Sequence, residues 1–204
     1  MSGAPLKDAD LTAVPANLPV PEDDGACDHV RGLKVPSIPL ASTDGRTVDL
    51  RAGQGISIVF FYPMTGRPGV ALPEGWDQIP GARGCSPQAC SYKDRYGKLT
   101  ELGASAIYGV SAQDTDYQAE AHRRLHLPYP LLSDCSLQLA RALQLPTFKV
   151  PEVGELIKRL TLVIRDAEIV EVLYPIFPSN SDAEKVASFL EQQRARGSND
   201  KVAL

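Results

Sequence analysis

The sequence predicts an α/β layered domain in which a mixed central sheet is flanked by helices and preceded by an N-terminal β-hairpin. Two observations indicate this class. Apolar, β-branched runs alternate with segments of helical periodicity, and the chain closes with a second hairpin and an amphipathic helix. The length of 204 residues suits one domain with one core. We expect an extended leader at residues 1–32, the domain at residues 33–197 and a tail at residues 198–204.

The first half of the domain is predicted to contain a hairpin, a buried strand and a helix. The segment SIPLASTDGRTVDL has two short alternating runs around the turn sequence TDG, which predicts a β-hairpin. The run ISIVFFYP is continuously apolar and ends at a proline, which is typical of a central strand buried on both faces. A loop rich in glycine and proline follows up to Cys85. Ser86 and Pro87 then predict the start of a helix that ends at Gly103.

The second half is predicted to continue the alternation. ASAIYGVSA predicts a second buried strand, and DTDYQAEAHRRLHL predicts a helix opened by Asp114 or Asp116. SDCSLQLARALQL predicts another helix, capped by Ser133 or Asp134. KRLTLVIRDAEIVEVLYPI predicts two strands that meet at a turn, and SDAEKVASFLEQQRA predicts an amphipathic helix. This order of elements favours a thioredoxin-like fold.

Composition excludes several classes of function. The net charge of −4 at pH 7 argues against a nucleic-acid partner. The longest apolar run, ISIVFFYPM, is far too short to cross a bilayer, and the N-terminal segment has neither an apolar signal region nor an arginine-rich transit pattern. We therefore expect no membrane partner and a cytoplasmic location. Four cysteines are too few for a disulfide scaffold, so any disulfide is expected to be transient and catalytic.

Two of the cysteines lie five residues apart in GARGCSPQACSYKD. With Pro87 in the first turn, Cys85 lies at the helix N-terminus, where unpaired N–H groups and the helix dipole favour a thiolate. Cys85 is therefore the candidate nucleophile, and Cys90, deeper in the helix, is the less reactive thiol. Standard helix geometry separates their Cα atoms by about 8–9 Å, beyond the limit of about 7 Å for a disulfide. A Cys85–Cys90 bridge therefore requires the first helical turns to unwind.

This spacing suits a cysteine that is oxidised first and is then trapped by a second thiol after the helix opens. Condensation of a sulfenic acid with a thiol is such a sequence of events. Two structural interpretations stay open from the spacing alone. The pair can be small apolar residues on a core helix, or part of a zinc site with Cys27, His29 and Cys135, although no second pair has ligand spacing.

Four motifs occur in the order that peroxiredoxins show. FFYP, GCSPQACSYKD, YPLLSD and KRLTLVI resemble the alkyl hydroperoxide reductase/thiol-specific antioxidant family over roughly residues 33–190. The cysteines five positions apart resemble its bacterioferritin-comigratory or Q-type branch. The resemblance implies a thioredoxin-like fold and a thiol-dependent peroxidase that reduces hydrogen peroxide or organic hydroperoxides.

The resemblance also implies roles for individual residues. Cys85 matches the peroxidatic cysteine of that branch, and Cys90 matches the resolving cysteine. Arg159, in KRLTLVI, matches the active-site arginine that pairs with the thiolate and orients the peroxide, a role that suits a fixed cation with several N–H donors. Gln88 lies where members often carry Glu or Gln facing that arginine. The implied cycle runs through a Cys85 sulfenic acid and a Cys85–Cys90 disulfide, which a thioredoxin or similar dithiol protein reduces, without metal, haem or flavin.

One feature departs from the family pattern. The family places a threonine three residues before the peroxidatic cysteine, whereas Ala82 occupies that position here and 21 residues separate Pro63 from Cys85. We expect Thr65 to supply the hydroxyl if the insertion loops out after it. The insertion holds the single tryptophan, Trp76, which is expected either to anchor a surface loop or to form a rim beside the active site.

Two other functions remain as alternatives at this point. One is a thiol–disulfide oxidoreductase without peroxidase activity, and the other is a non-catalytic binding module with a thioredoxin fold. The protein is expected to be a monomer or a weak homodimer. Cys27 and Cys135 are expected to be spare thiols.

Overall fold

Strands and helices alternate along the chain in the structure, a computed structural model that describes residue 7 and residues 11–200. Its strands are β1 Pro39–Ser42, β2 Thr47–Asp49, β3 Ile56–Phe61, β4 Ala104–Ser111, β5 Leu131–Ser133, β6 Thr147–Val150, β7 Gly154–Ile157, β8 Leu160–Arg165 and β9 Glu168–Leu173. Its helices are α1 Cys85–Asp94, α2 Tyr96–Glu101, α3 Thr115–Leu125, α4 Gln138–Ala142 and α5 Asp182–Asp200.

The main sheet of the described chain has seven strands in the order β2-β1-β5-β4-β3-β8-β9, and β6 pairs with β7 outside it. β3 lies near the centre, parallel to β4 and antiparallel to β8. β4 is also parallel to β5, while β1 and β9 add antiparallel strands on either side. The predicted mixed sheet, with its N-terminal hairpin of β1 and β2, is confirmed.

Alternate side chains at the end of β3 enter two cores on opposite faces of the sheet, as the two-residue repeat of a strand requires. Val59 and Phe61 join the core that includes α4. Phe60 and Tyr62 join the core that includes residues of α1, α3 and α5. Phe60 stacks on Tyr92 of α1 with ring centroids 4.4 Å apart and planes inclined by 8°. This packing holds α1, and with it the candidate nucleophile, against the centre of the sheet.

Elements with strong local signals lie where the sequence predicts them. The first hairpin turns at Gly45, whose positive φ of 81° suits glycine. Asp114 caps α3, where its carboxylate accepts the backbone N–H of Tyr117 at 2.6 Å. β8 and β9 meet at Asp166 and Ala167, both with positive φ. The terminal amphipathic helix is α5.

The prediction of one helix up to Gly103 is wrong. The helix is divided into α1 and α2, because Arg95 leaves the helical region with φ −104° and ψ 9°. Gly97, a weak helix former, lies two residues after this break.

The prediction that Ser133 or Asp134 caps a helix starting beside them is also wrong in position. Ser133 ends strand β5, and α4 begins only at Gln138. Asp134 nevertheless binds the first turn of α4, since its carboxylate accepts hydrogen bonds from the backbone N–H groups of Leu139 and Ala140 at 3.2 and 2.9 Å. The sequence does not predict strands β5, β6 and β7, because runs of only three or four residues give no clear period.

Part of the predicted leader packs on the domain. Cys27 and Val30 are buried in the core that includes α4. Asp24 accepts hydrogen bonds from the Lys158 ammonium at 2.8 Å and the Tyr174 hydroxyl at 2.9 Å. The division into leader, domain and tail stays a prediction, and residues 1–6, 8–10 and 201–204 lie outside the described residues. No helix in the described chain is long and apolar enough to cross a membrane.

Candidate active site

Cys85 is the first residue of α1 and is only 4 % exposed. The residue before it, Gly84, has a positive φ of 101°, and a Cβ atom there would lie 2.2 Å from the Ser179 hydroxyl. Glycine is therefore required at this position for both conformation and space. No side chain of the described residues caps this helix end, and Pro87 has no N–H group. The first N–H groups of α1 and the positive end of its dipole thus lie beside the Cys85 thiol.

Arg159 directly precedes β8 and is 3 % exposed. Its NH2 nitrogen lies 3.3 Å from the Cys85 sulfur. The same nitrogen lies 3.1 Å from each of the backbone carbonyl oxygens of Gly81, Ala82 and Arg83. The guanidinium therefore holds the loop that leads into α1 and places a cation against the sulfur.

Gln88 completes this group from the first turn of α1. It is fully buried, and its side-chain oxygen accepts a hydrogen bond from NH1 of Arg159. Its side-chain nitrogen donates to Asp182 at 2.7 Å. The structure thus brings together three of the predicted site residues: Cys85, Arg159 and Gln88.

Thr65 is buried but is bonded elsewhere. Its backbone N–H and its hydroxyl donate to the side-chain oxygen of Gln113 at 2.9 and 3.0 Å, and the side-chain nitrogen of Gln113 donates back to the Thr65 carbonyl at 3.2 Å. The hydrogen bonds described for Thr65 do not include Cys85 or Arg159. The hydroxyl role predicted for Thr65 stays a prediction, which requires this paired arrangement to open.

Cys90 is half-buried on the same helix as Cys85, and neither cysteine is joined in a disulfide. It packs on the core that includes α1, near the site where the Tyr129 hydroxyl donates to the Ala89 carbonyl at 2.6 Å. α1 is continuous from Cys85 to Asp94, so the two Cα atoms are separated by about 8–9 Å on standard helix geometry. The reduced helix therefore keeps the two thiols too far apart to join.

The inserted loop covers Cys85. A small cavity of about 10 Å³ beside the thiol, close to the space that one water molecule needs, is lined by residues 83–86 and by apolar side chains that include Leu11, Met64, Leu72 and Trp76. Trp76 is 3 % exposed and packs in a cluster with Phe148 at its edge. The insertion is thus a wall of the site and not a peripheral surface loop.

The other two cysteines lie outside this group. Cys27 is buried, and desolvation raises the pKa of its thiol to about 12. It is therefore a protonated, unreactive thiol at neutral pH. Cys135 is exposed and follows β5.

Sequence reasoning missed the polar residues behind Gln88. Asp182 and Thr161 are fully buried, and the Thr161 hydroxyl donates to the Asp182 carboxylate at 2.8 Å. Asp182 lies at the start of a helix, where a carboxylate is usually explained by the helix dipole. Thr161 lies in an apolar strand. Neither position carries a local signal of a role near Cys85.

A buried cysteine at a helix N-terminus, held against an arginine beside a mixed central sheet, defines a class of thiol-based redox enzymes. Comparison with known proteins specifies the class. Residues 31–187 match the Redoxin family. Peroxiredoxin Q, chloroplastic, from Oryza sativa subsp. japonica is 30% identical over 172 residues, which cover 81% of this chain and 70% of the relative. The corresponding protein from Gentiana triflora is 30% identical over 170 residues, covering 80% and 70%.

Solved structures agree on the fold. Peroxidoxin BcpB from Mycobacterium tuberculosis superposes with a TM-score of 0.62 at 24% identity, covering 79% of this chain and 96% of that one. The chain belongs to the Redoxin family and is a peroxiredoxin of the Q or bacterioferritin-comigratory branch. The predicted thioredoxin-like fold and thiol peroxidase activity are confirmed, with a peroxide as substrate and a thiol as reductant. These findings favour the peroxidase over the two alternatives left open by the sequence.

Proposed function

We propose that Cys85 is the thiol that attacks the peroxide and Cys90 the thiol that resolves the product. The observation that carries this proposal is the 3.3 Å contact between NH2 of Arg159 and the Cys85 sulfur. A fixed cation at that distance stabilises a thiolate and offers N–H donors to a peroxide oxygen. Arg159 is therefore assigned both roles. Gln88 supports it by accepting a hydrogen bond from NH1.

The chemical steps follow from these roles. The Cys85 thiolate attacks one oxygen of hydrogen peroxide or an organic hydroperoxide, the O–O bond breaks, and water or an alcohol leaves after taking up a proton. Cys85 is now a sulfenic acid. The Cys90 thiol condenses with it, which forms the S–S bond and releases water. A dithiol protein of the thioredoxin type then reduces the bridge by thiol–disulfide exchange and is itself oxidised to a disulfide.

Three finer features belong to the same proposal. The reductant is assigned to the thioredoxin type, the protein is assigned as a monomer or weak homodimer, and its location is assigned to the cytoplasm. The relatives from Oryza sativa and Gentiana triflora carry the description chloroplastic. The location of this protein must therefore be measured directly, for example by cell fractionation.

Mass spectrometry after one equivalent of hydrogen peroxide tests the assignment of the cysteines. We expect a loss of two hydrogen atoms relative to the reduced protein and a Cys85–Cys90 cross-link after digestion. Cys27 should stay unmodified because it is buried with a raised pKa, and alkylation of each thiol before digestion checks this. Oxidation at Cys27 or Cys135 with Cys85 still reduced would contradict the proposal.

Formation of the bridge should locally unfold α1. Because the Cα atoms of Cys85 and Cys90 must approach by a few ångströms, at least the first turn is expected to unwind. Amide hydrogens of residues 86–94 should exchange faster in the peroxide-treated protein than in the reduced protein. Those of β3 and β8 should stay protected, since the bridge does not strain the sheet.

The matched control for this exchange experiment is Cys90→Ser treated with the same peroxide. It can be oxidised at Cys85 but cannot form the bridge, so exchange in residues 86–94 should stay slow. A confirmed Cys85–Cys90 bridge with unchanged exchange in this segment would show that the bridge forms without unwinding.

A further inference from the structure

A buried carboxylate lies directly behind the active-site pair of Gln88 and Arg159. Asp182 is the first residue of α5 and is fully buried. One of its oxygens, Oδ2, accepts from the Gln88 side-chain nitrogen at 2.7 Å and from the Thr161 hydroxyl at 2.8 Å. Since the Thr161 hydroxyl uses its hydrogen there, the Tyr92 hydroxyl, 3.2 Å from Thr161 Oγ1, is the donor in their bond. Donors from α1 and β8 therefore converge on Asp182.

This arrangement determines which way the Gln88 amide faces. Oδ2 of Asp182 accepts whether the carboxyl is ionised or neutral, because the proton of a neutral acid would occupy Oδ1, which has no hydrogen-bond partner among the described residues. Asp182 thus requires the Gln88 nitrogen, and Arg159, which can only donate, requires the Gln88 oxygen. Glutamine satisfies both neighbours. A glutamate at this position would place two carboxylates side by side.

We propose that Asp182 is a positioning residue of this peroxidase, which fixes the amide of Gln88 and through it the guanidinium of Arg159 against Cys85. The inference rests on the proposed role of Cys85 as the attacking thiol. Burial raises the pKa of the Asp182 carboxyl, so a second carboxylate beside it would be strongly disfavoured. Gln88 and Asp182 therefore form a matched pair that needs one amide and one carboxyl group.

A purely structural role for Asp182 makes a different prediction. A carboxylate at a helix start also stabilises the helix through its dipole, so its loss lowers stability without a specific effect on Cys85. The two roles predict different rates of Cys85 oxidation and different dependences of that rate on pH. The two roles also predict different rates for a variant in which the amide and the carboxyl group are exchanged.

The experiment measures the single-turnover rate of Cys85 oxidation by one equivalent of hydrogen peroxide across pH. The variants are D182N, Q88E, Q88E/D182N, R159M and R159M/D182N. We expect D182N and Q88E each to be slowed about tenfold, within the range of couplings in one hydrogen-bond network. The exchanged pair Q88E/D182N should return to within about threefold of the wild-type rate, since the amide introduced at position 182 can again donate to a carboxylate. In the R159M background, D182N should have no further effect.

The pH profile of Q88E supplies a second measurement. At low pH the two carboxyl groups share a proton, and loss of that proton as the pH rises places two negative charges together and slows the reaction. The titratable side chains around Asp182 are Tyr92 and Tyr129, whose pKa values burial raises well above 10, and the charged group nearest the pair is the Arg159 guanidinium, bonded to Gln88. The added ionisation should therefore belong to the carboxyl pair and disappear in Q88E/D182N.

Asp114→Asn is the matched control, because Asp114 caps α3 away from Cys85, and its rate should equal that of the wild type. The proposal would be overturned if the rate of Q88E/D182N were reduced by the product of the two single effects. A wild-type rate in a D182N protein that folds but is less stable would also overturn it. If D182N does not fold, a Q88E profile without the added ionisation overturns it. Failure of the proposed function is distinct, because Cys85 of the wild-type protein would then stay unmodified by peroxide.

Discussion

Replacing Cys85 with serine is expected to abolish peroxide consumption. Serine keeps the size of the side chain, so the helix start and the contacts of Arg159 have little reason to change, but a hydroxyl at neutral pH cannot act as the thiolate does. Cys90→Ser should behave differently. It should undergo one fast oxidation at Cys85 and then stop as a sulfenic acid or a mixed disulfide, because the resolving thiol is missing. Stopped-flow consumption of peroxide over several equivalents measures both.

Cys27→Ser and Cys135→Ser are the controls for the cysteine variants. Cys27 is a buried thiol with a raised pKa and Cys135 lies on the surface, so both variants should turn over at the wild-type rate. Equal residual turnover in Cys85→Ser and Cys90→Ser would overturn the assignment of separate roles.

Arg159→Met is expected to slow the reaction of Cys85 with peroxide by about a hundredfold, comparable to the loss of one charge-stabilising donor in other enzymes. Methionine keeps a long side chain but removes the cation 3.3 Å from the sulfur and the donors to the carbonyls of residues 81–83. Without the cation the thiolate is less favoured, and the attacking form of Cys85 loses its stabilising partner. Single-turnover rate constants for Cys85 oxidation by hydrogen peroxide measure this effect.

Arg165→Met is the matched control, since Arg165 is the exposed last residue of β8, the strand that Arg159 precedes. Thr65→Val gives a second comparison. It should change the rate only if Thr65 leaves Gln113 and reaches the peroxide during the reaction. An Arg159→Met protein with the wild-type rate constant would remove Arg159 from the active site.

The sequence was informative where a short segment carries its own physical signal. Cys85 was found because a proline in the first turn and a glycine before the cysteine indicate a helix N-terminus. The apolar run of β3 and the cap at Asp114 are local in the same sense. Arg159 has no local signal, since an arginine before a strand is ordinary. It was found only because the order of four motifs resembles a family.

The remaining parts of the site depend on contacts between distant segments. Asp182 lies 94 residues from Gln88, and Gln113 lies 48 residues from Thr65. Each of these side chains has an ordinary explanation in its own segment, as a helix start or as a polar residue after a strand. Their pairing is decided by how α1, α5 and β4 pack, and a single sequence carries no record of that packing. Strand β5 is not predicted for a related reason. Its three residues form a strand because they pair with β1 and β4, which are distant in the sequence.

Trp76 gives the protein a built-in optical probe. It is the single tryptophan of the chain, and it lines the same small cavity as Cys85. Its emission therefore reports on the surroundings of this one side chain, free of signals from other indoles. When α1 unwinds, the wall that residues 83–86 contribute is lost and water reaches the ring, so its emission should move to longer wavelength. Formation and reduction of the Cys85–Cys90 bridge can then be followed in the unlabelled protein in real time.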